Sequence, residues 1–243
     1  MMRQSVLHNS FLVGAIATMV ALTTACSNPN PTTSNSGTTN PTESTTQPAN
    51  NQPATSTQAS ATVARVGEPA PDFTGVDSNG KTHRLSDFKG KTVVLEWTNH
   101  ECPFVRKHYE SGNMQKLQKA ATGDGVVWLS VVSSAPGQQG NVERQKANEL
   151  TKSRNAAPTA VLLDSDGTIG RTYSARTTPH MFVITPEGKL AYAGAIDSIS
   201  SSNKADVSKA ENYVTDALKA VKNGQPVSKP TTQPYGCSVK YKA

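Results

Sequence analysis

Residues 92–109 read TVVLEWTNHECPFVRKHY. The first six are β-branched or apolar except for Glu96, the pattern of a strand covered on both faces. Pro103 then favours the first position of a helix, because its fixed φ suits the turn and its missing N–H is not needed there. Cys102 therefore falls near the N-cap, where free backbone N–H groups and the positive end of the helix dipole favour an anion. A thiolate there is stabilised, and such cysteines can ionise several units below the free value of about 8.5. His100, Arg106 and Lys107 add positive potential in this reading, and Glu101 opposes it. The stretch thus describes a reactive thiol, not an inert one. It lacks a second cysteine at the usual redox spacing, because Val105 stands where a Cys-x-x-Cys pair would need it.

On either side of this stretch, strands and helices alternate. Upstream, DSNGK is a turn between two short strands, with Asn79-Gly80 supplying positive φ. LSDFKG follows as a single helical turn, capped by Ser86 and stopped by Gly90. The helix opened by Pro103 runs to about Ala121, with an interruption at Ser111-Gly112. GVVWLSVV (125–132) and TAVLLD (159–164) are further strands, separated by the polar helix NVERQKANELTKSR (141–154). A short helical segment lies near TIGRTYSA; HMFVI and KLAYAGAI then form a hairpin around TPEG. The last helix spans 206–224 and ends at Gly224. This order implies an α/β fold with a largely parallel sheet covered on both faces, an initial hairpin, an antiparallel edge and an extended C-terminal tail.

The chain has 243 residues, a formal charge of +6 and three cysteines. Its Lys and Arg residues form no block, which argues for solubility and attraction to an anionic surface, and against nucleic acid. Residues 1–25 combine a basic start, a short apolar run and small residues, as an export signal does. LTTAC at 22–26 resembles the bacterial lipobox, which implies a lipidated Cys26 and a membrane anchor. Residues 26–62, rich in Ser, Thr, Asn, Gln and Pro, cannot bury enough apolar surface to order, so they read as a disordered tether. Its root-mean-square span would be roughly 30–35 Å. Residues 63–243 then form one domain in a compartment that permits disulfides, with 225–243 as its tail.

PAPDFTGVDSNGKTHRLSDFKGKTVVLEWTNHECPF, with RTTPHMFVITPEGKLAYAGAID further on, resembles the thioredoxin-like redoxins of the alkyl hydroperoxide reductase and thiol-specific antioxidant group. The resemblance covers about 66–197 and implies a thioredoxin-like fold, a central mixed sheet flanked by helices. It implies a cis Pro179, with Thr178 facing Cys102. A peroxiredoxin-like subgroup pairs CPFV.KHY with a C-terminal PYGCSVKY, and both are present, the second at 234–241 with Cys237. The family's Pro-x-x-x-Thr-x-x-Cys pattern is altered: Leu95 and Asn99 hold the proline and threonine positions, and Thr98 is one residue out of register. Arg176 is the candidate for the family's active-site arginine.

By this resemblance the chain is a peroxiredoxin-like thiol oxidoreductase with peroxide or a disulfide as substrate, and the leader and LTTAC put it in the cell envelope. A thiol reductant, such as a thioredoxin-like protein, would recycle it, and no cofactor is implied. Cys102 is the nucleophile. A sulfenic acid formed there needs a second thiol to condense with, and Cys237 supplies one if the tail folds back. Two alternatives remain at this stage. One is a purely structural Cys102–Cys237 disulfide. The other is copper or zinc binding by a group drawn from His100, Cys102, His108, His180 and Met181, since imidazole and thiolate suit those ions. DSDG at 164–167 is a turn, because the later ligands of a calcium loop are missing.

Overall fold

Asp77 organises the first hairpin, β1 (Thr74–Val76) with β2 (Thr82–Arg84). Its carboxylate accepts from the N–H groups of Asn79 and Lys81 and from the His83 ring at 2.8 Å, while Gly80 takes a φ of 85° at the turn. This computed structural model describes residues 63–243, so the leader over 1–25, Cys26 and the tether over 26–62 lie outside the described residues. A 3₁₀ turn, Leu85–Phe88, follows the hairpin. Its cap is Arg84 and not the expected Ser86: the Arg84 N–H donates to Asp87, and the Ser86 N–H is already taken by Asp72.

The sheet is built on β3 (Val93–Trp97), β4 (Val127–Val132), β5 (Ala160–Leu163), β7 (His180–Ile184) and β8 (Leu190–Gly194), in the order β5-β4-β3-β7-β8. The short β6 (Thr177–Thr178) precedes β7 outside this sheet. Strands β3, β4 and β5 run parallel, whereas β7 and β8 are antiparallel, so the sheet is evenly mixed instead of largely parallel. β3 lies in the middle, which is why its residues are all buried. Alternation along the strands divides the core in two. Val93, Leu95, Trp97, Leu129, Val131, Leu162 and Phe182 meet Phe73, Ile169 and Tyr173 on one face. Val94, Trp128, Met181, Val183 and Tyr192 meet the helices on the other.

Those helices are α1 (Pro103–Glu110), α2 (Asn113–Gly123) and α5 (Tyr213–Lys222), with α3 (Arg144–Ser153) seated on a smaller cluster of Val132, Val142 and Ala147. α4 (Thr168–Thr172) brings Ile169 to the opposite face. Gly112, at φ 76°, ends α1 and starts α2 where the interruption was expected. The final helix is shorter than its sequence pattern. Ser198 and Glu211 exchange hydrogen bonds that hold the backbone extended there, and Asn212 caps a new start by accepting from the Thr215 N–H. Residues 204–209 form only a separate 3₁₀ turn. Among the described residues no helix is long and apolar enough to cross a membrane.

Glu96 breaks the apolar run of β3, and it is fully buried. An isolated carboxylate there would cost several kcal/mol. Trp128 Nε1 at 2.8 Å, Ser130 Oγ and Tyr109 Oη at 2.9 Å and Gln118 Nε2 at 3.1 Å all donate to it. Burial still outweighs these bonds and raises its pKa from the ordinary carboxylate value.

The tail crosses the sheet edge and returns over the start of α1. Thr231 bridges Ala193, and Thr232 Oγ1 accepts from the Ala195 N–H at 2.9 Å. β9 (Cys237–Ser238) pairs antiparallel with β6, Cys237 opposite Thr178. Beyond it the Val239 N–H donates to Arg176, Ala135 to Lys240, and Tyr241 Oη to Ala175.

Candidate functional site

Cys102 is the N-cap of α1, with Pro103 at the first helical position. The loop before it is held by Asn99, which is buried: its carbonyl accepts from the Cys102 N–H at 3.1 Å and its side chain from the Glu101 N–H at 2.9 Å. Glu101 turns away from the thiol and accepts from the Gly140 N–H at 2.6 Å. The cationic neighbours expected from the sequence also turn away. Arg106 pairs with Glu110 at 2.9 Å on the surface, and Lys107 is buried against Asp197 at 3.3 Å. His100, whose ring burial keeps it neutral, is not among the groups acting on the sulfur.

The thiol is acidified by hydrogen bonds instead. The residue is wholly buried, and burial alone would push the thiol up. Donors from the Cys237 thiol, the Val105 N–H, the Thr178 side chain and the Cys237 backbone outweigh this and hold it below the ordinary thiol value. When protonated, Cys102 Sγ donates to the Thr178 carbonyl at 3.0 Å. Cys237 behaves oppositely: burial, its bond to Cys102 and the developing charge there push it up to about 12. Two unbonded thiols thus meet, one poised to ionise and one to stay protonated.

The structure brings Cys102, Cys237, Thr178 and Pro179 together, and the Thr178–Pro179 bond is cis. Neither Thr98 nor Arg176 is among the partners of the sulfur. The Thr98 hydroxyl is buried without a partner in a small cavity lined by His100, Ser130, Val142 and Arg154. The Arg176 side chain is exposed; its backbone binds His180 and Val239. His180 Nδ1 accepts from the Arg176 N–H, and its ring packs at 4.4 Å from that of Phe182. Burial pushes this imidazole down to about 3, so it is neutral. Among the described residues no three His, Cys, Asp or Glu side chains converge as a metal site would require.

Gly236 was not singled out in the sequence, although its place just before Cys237 was a signal. It has a φ of 127°, and an added Cβ would run into the Thr178 carbonyl, lying 2.8 Å from its carbon. Only glycine lets the tail approach β6 so closely. Gly236→Ala is expected to lift Cys237 away from Cys102 and to cut disulfide formation between them at least about tenfold, since strain and overlap act together. Mass mapping of the oxidised variant checks this.

The profile of the AhpC/TSA family, the alkyl hydroperoxide reductase and thiol-specific antioxidant group, matches residues 66–193. Cys102 and Pro179 lie inside the match and Cys237 outside it. The thiol-disulfide oxidoreductase ResA of Geobacillus thermodenitrificans is 29% identical over 130 residues, which span 53% of this chain and 68% of ResA. ResA of Bacillus subtilis is 29% identical over 124 residues, 51% of this chain and 64% of that protein. Among solved structures, a hypothetical protein of Sinorhizobium meliloti superposes with a TM-score of 0.62 at 22% identity, covering 74% of this chain and 96% of that one. An uncharacterized conserved protein of Geobacillus kaustophilus has the same TM-score and identity, covering 73% and 93%. Both likenesses are of fold.

Proposed function

This chain belongs to the AhpC/TSA family of thioredoxin-like proteins, and from that premise we propose that it is a thiol-disulfide oxidoreductase whose redox centre is the Cys102–Cys237 pair. The observation that carries the reading is that β9 sets Cys237 opposite Thr178, to whose carbonyl Cys102 Sγ is bonded, so two free thiols are neighbours and their acidities are driven apart. The 29% identity to ResA supports the substrate class.

In the first step the Cys102 thiolate attacks one sulfur of a substrate disulfide. That bond breaks, a mixed disulfide forms on Cys102, and one substrate thiolate leaves and takes up a proton. Cys237 then gives up its proton and attacks Cys102 Sγ, and the second substrate thiol leaves. The pair has lost two electrons and become a disulfide, which an external thiol reductant resets. The raised pKa of Cys237 keeps it protonated until the departing charge on Cys102 is gone, so the two thiols act in order.

A second reading, peroxide reduction, is favoured by one observation. Cys102 is completely buried under the tail, so a small oxidant reaches it more easily than a protein disulfide does. The thiolate would then break the O–O bond, giving a sulfenic acid and water or an alcohol, and Cys237 would condense with it and release water. Neither Thr98 nor Arg176 is among the groups bonded to the Cys102 sulfur, which counts against fast peroxide chemistry. Export, lipidation at Cys26, the tether over 26–62 and the catalytic domain over 63–243 complete the proposal. They place the pair at the envelope, on the basis of the leader-like residues 1–25 and LTTAC.

The test is to offer the full-length protein insulin disulfides or hydrogen peroxide, with dithiothreitol as reductant, and to map its disulfides by mass. Insulin reduction above the dithiothreitol background, with an internal Cys102–Cys237 bridge, is the expected result. Consumption of peroxide alone would establish the second reading. A folded protein that turns over neither probe would overturn both.

A further inference from the structure

A two-residue strand pairing is a weak way to aim one thiol at another, because so few ladder bonds do not fix a register. Yet Cys237 sits directly opposite Thr178, whose carbonyl accepts from Cys102 Sγ at 3.0 Å. The bonds of Val239, Lys240 and Tyr241 hold the tail beyond Cys237, and a second index lies two residues before it. The Tyr235 phenol is buried among polar groups that the redox chemistry does not use. Its hydroxyl donates to Asp197 Oδ1 and receives the His108 ring at 3.2 Å. Lys107, wholly buried, donates to Asp197 Oδ2 at 3.3 Å and to the Ile199 carbonyl at 2.9 Å, with its Nζ 5.5 Å from the centre of the Tyr235 ring. Asn113 donates to His108 Nδ1 at 2.8 Å, which leaves the proton on Nε2, facing the phenol. Phe104 packs against the ring edge at 5.8 Å.

The spacing of this cluster matches that of the thiols. Lys107 and His108 stand five and six residues beyond Cys102 on one helix, a rise of about 7.5–9 Å. Tyr235 and Cys237 are two residues apart with Gly236 bending the chain between them, a span of at most about 7 Å. A phenol docked on the helix at one end of this interval brings the sulfurs together at the other. A buried charge pair contributes little to stability compared with apolar residues of the same shape, and its best-attested use is to choose one register among several. Here the register chosen is the one that puts Cys237 on Cys102.

We propose that Tyr235, seated by Asp197, Lys107 and His108, is the positioning residue that holds the partner thiol against the nucleophile. The proposal rests on the reading of Cys237 as the second redox thiol. It also accounts for the joint presence of VRKHY and PYGC in one chain: the first stretch supplies the socket and the second the plug.

Tyr235→Phe keeps the ring and its packing and removes only the hydroxyl. In full-length protein, the equilibrium between the dithiol and the mass-mapped Cys102–Cys237 disulfide is titrated with reduced and oxidised glutathione. The variant is expected to shift at least about tenfold toward the dithiol, because a loosened tail has a lower effective concentration of Cys237. Alkylation of Cys102 by iodoacetamide should become several-fold faster as its cover loosens. Hydrogen exchange should speed at Val239 and leave β3 and β4 unchanged. If the wild type bridges and Tyr235→Phe bridges equally well, within twofold, the positioning role is overturned while the cysteine pair stands. Faster exchange throughout the core would also overturn it, since Tyr235 would then serve folding and not aim. A wild type that never bridges Cys102 to Cys237 removes both readings.

Discussion

Cys102→Ser is expected to lose disulfide reduction by roughly 10³-fold or more, the scale on which removing a covalent nucleophile acts. Serine fits the N-cap and can still donate to the Thr178 carbonyl, so the fold should persist. What disappears is an anion available near neutral pH, because a hydroxyl does not ionise there. The companion measurement in the wild type is the pH dependence of alkylation. Rate follows the thiolate fraction, which rises as the pH passes the pKa of the group. Since Cys102 is held below the ordinary thiol value, its half-maximal rate should fall at a lower pH than that of a free cysteine, about 8.5. Cys237, pushed up to about 12, should add nothing across the neutral range. A profile centred at or above the free-cysteine value would show that burial outweighs the hydrogen bonds at Cys102.

Cys237→Ser should separate the two chemical steps. Attack by Cys102 needs no second sulfur, so one equivalent of substrate should react and remain attached as a mixed disulfide. Sustained turnover should fall at least about 100-fold, since nothing held at high effective concentration remains to release it. Serine retains a donor for the Cys102 thiolate, whereas Cys237→Ala removes one. The alkylation profile of the alanine variant should therefore move to higher pH than that of the serine variant. A bridge with only a structural role predicts something else: a loss of about 2–5 kcal/mol in stability, with no turnover to lose because the bridged Cys102 had none. Calorimetry together with trapping of the mixed disulfide distinguishes the two outcomes.

Most of the elements were legible because their signals are local. A β-branched run makes β3, Pro103 starts α1, and Gly112 divides it from α2, each within a few consecutive residues. Cys102 at a helix start is likewise local, and its reactivity was expected on those grounds. The place of Pro179 beside it came from resemblance, not from periodicity.

The source of the lowered pKa of Cys102 was not legible. The sequence puts His100, Arg106 and Lys107 near the thiol, but side chains answer to the nearest opposite charge in space. Glu110 takes Arg106, and Asp197, from beyond β8, takes Lys107. Contacts across the fold rewrote local patterns elsewhere too. Ser198 pulls Glu211 out of a segment that by itself reads as helix, and the Asp72 bond to the Ser86 N–H leaves Arg84 as the cap. The sequence alone determined that this chain carries one cysteine at a helix start and another in a helix-poor tail. Only the tertiary structure decided that the two meet and which of them gives up its proton, because acidity is set by the donors and the burial that surround a sulfur in space, and those come from segments far apart along the chain.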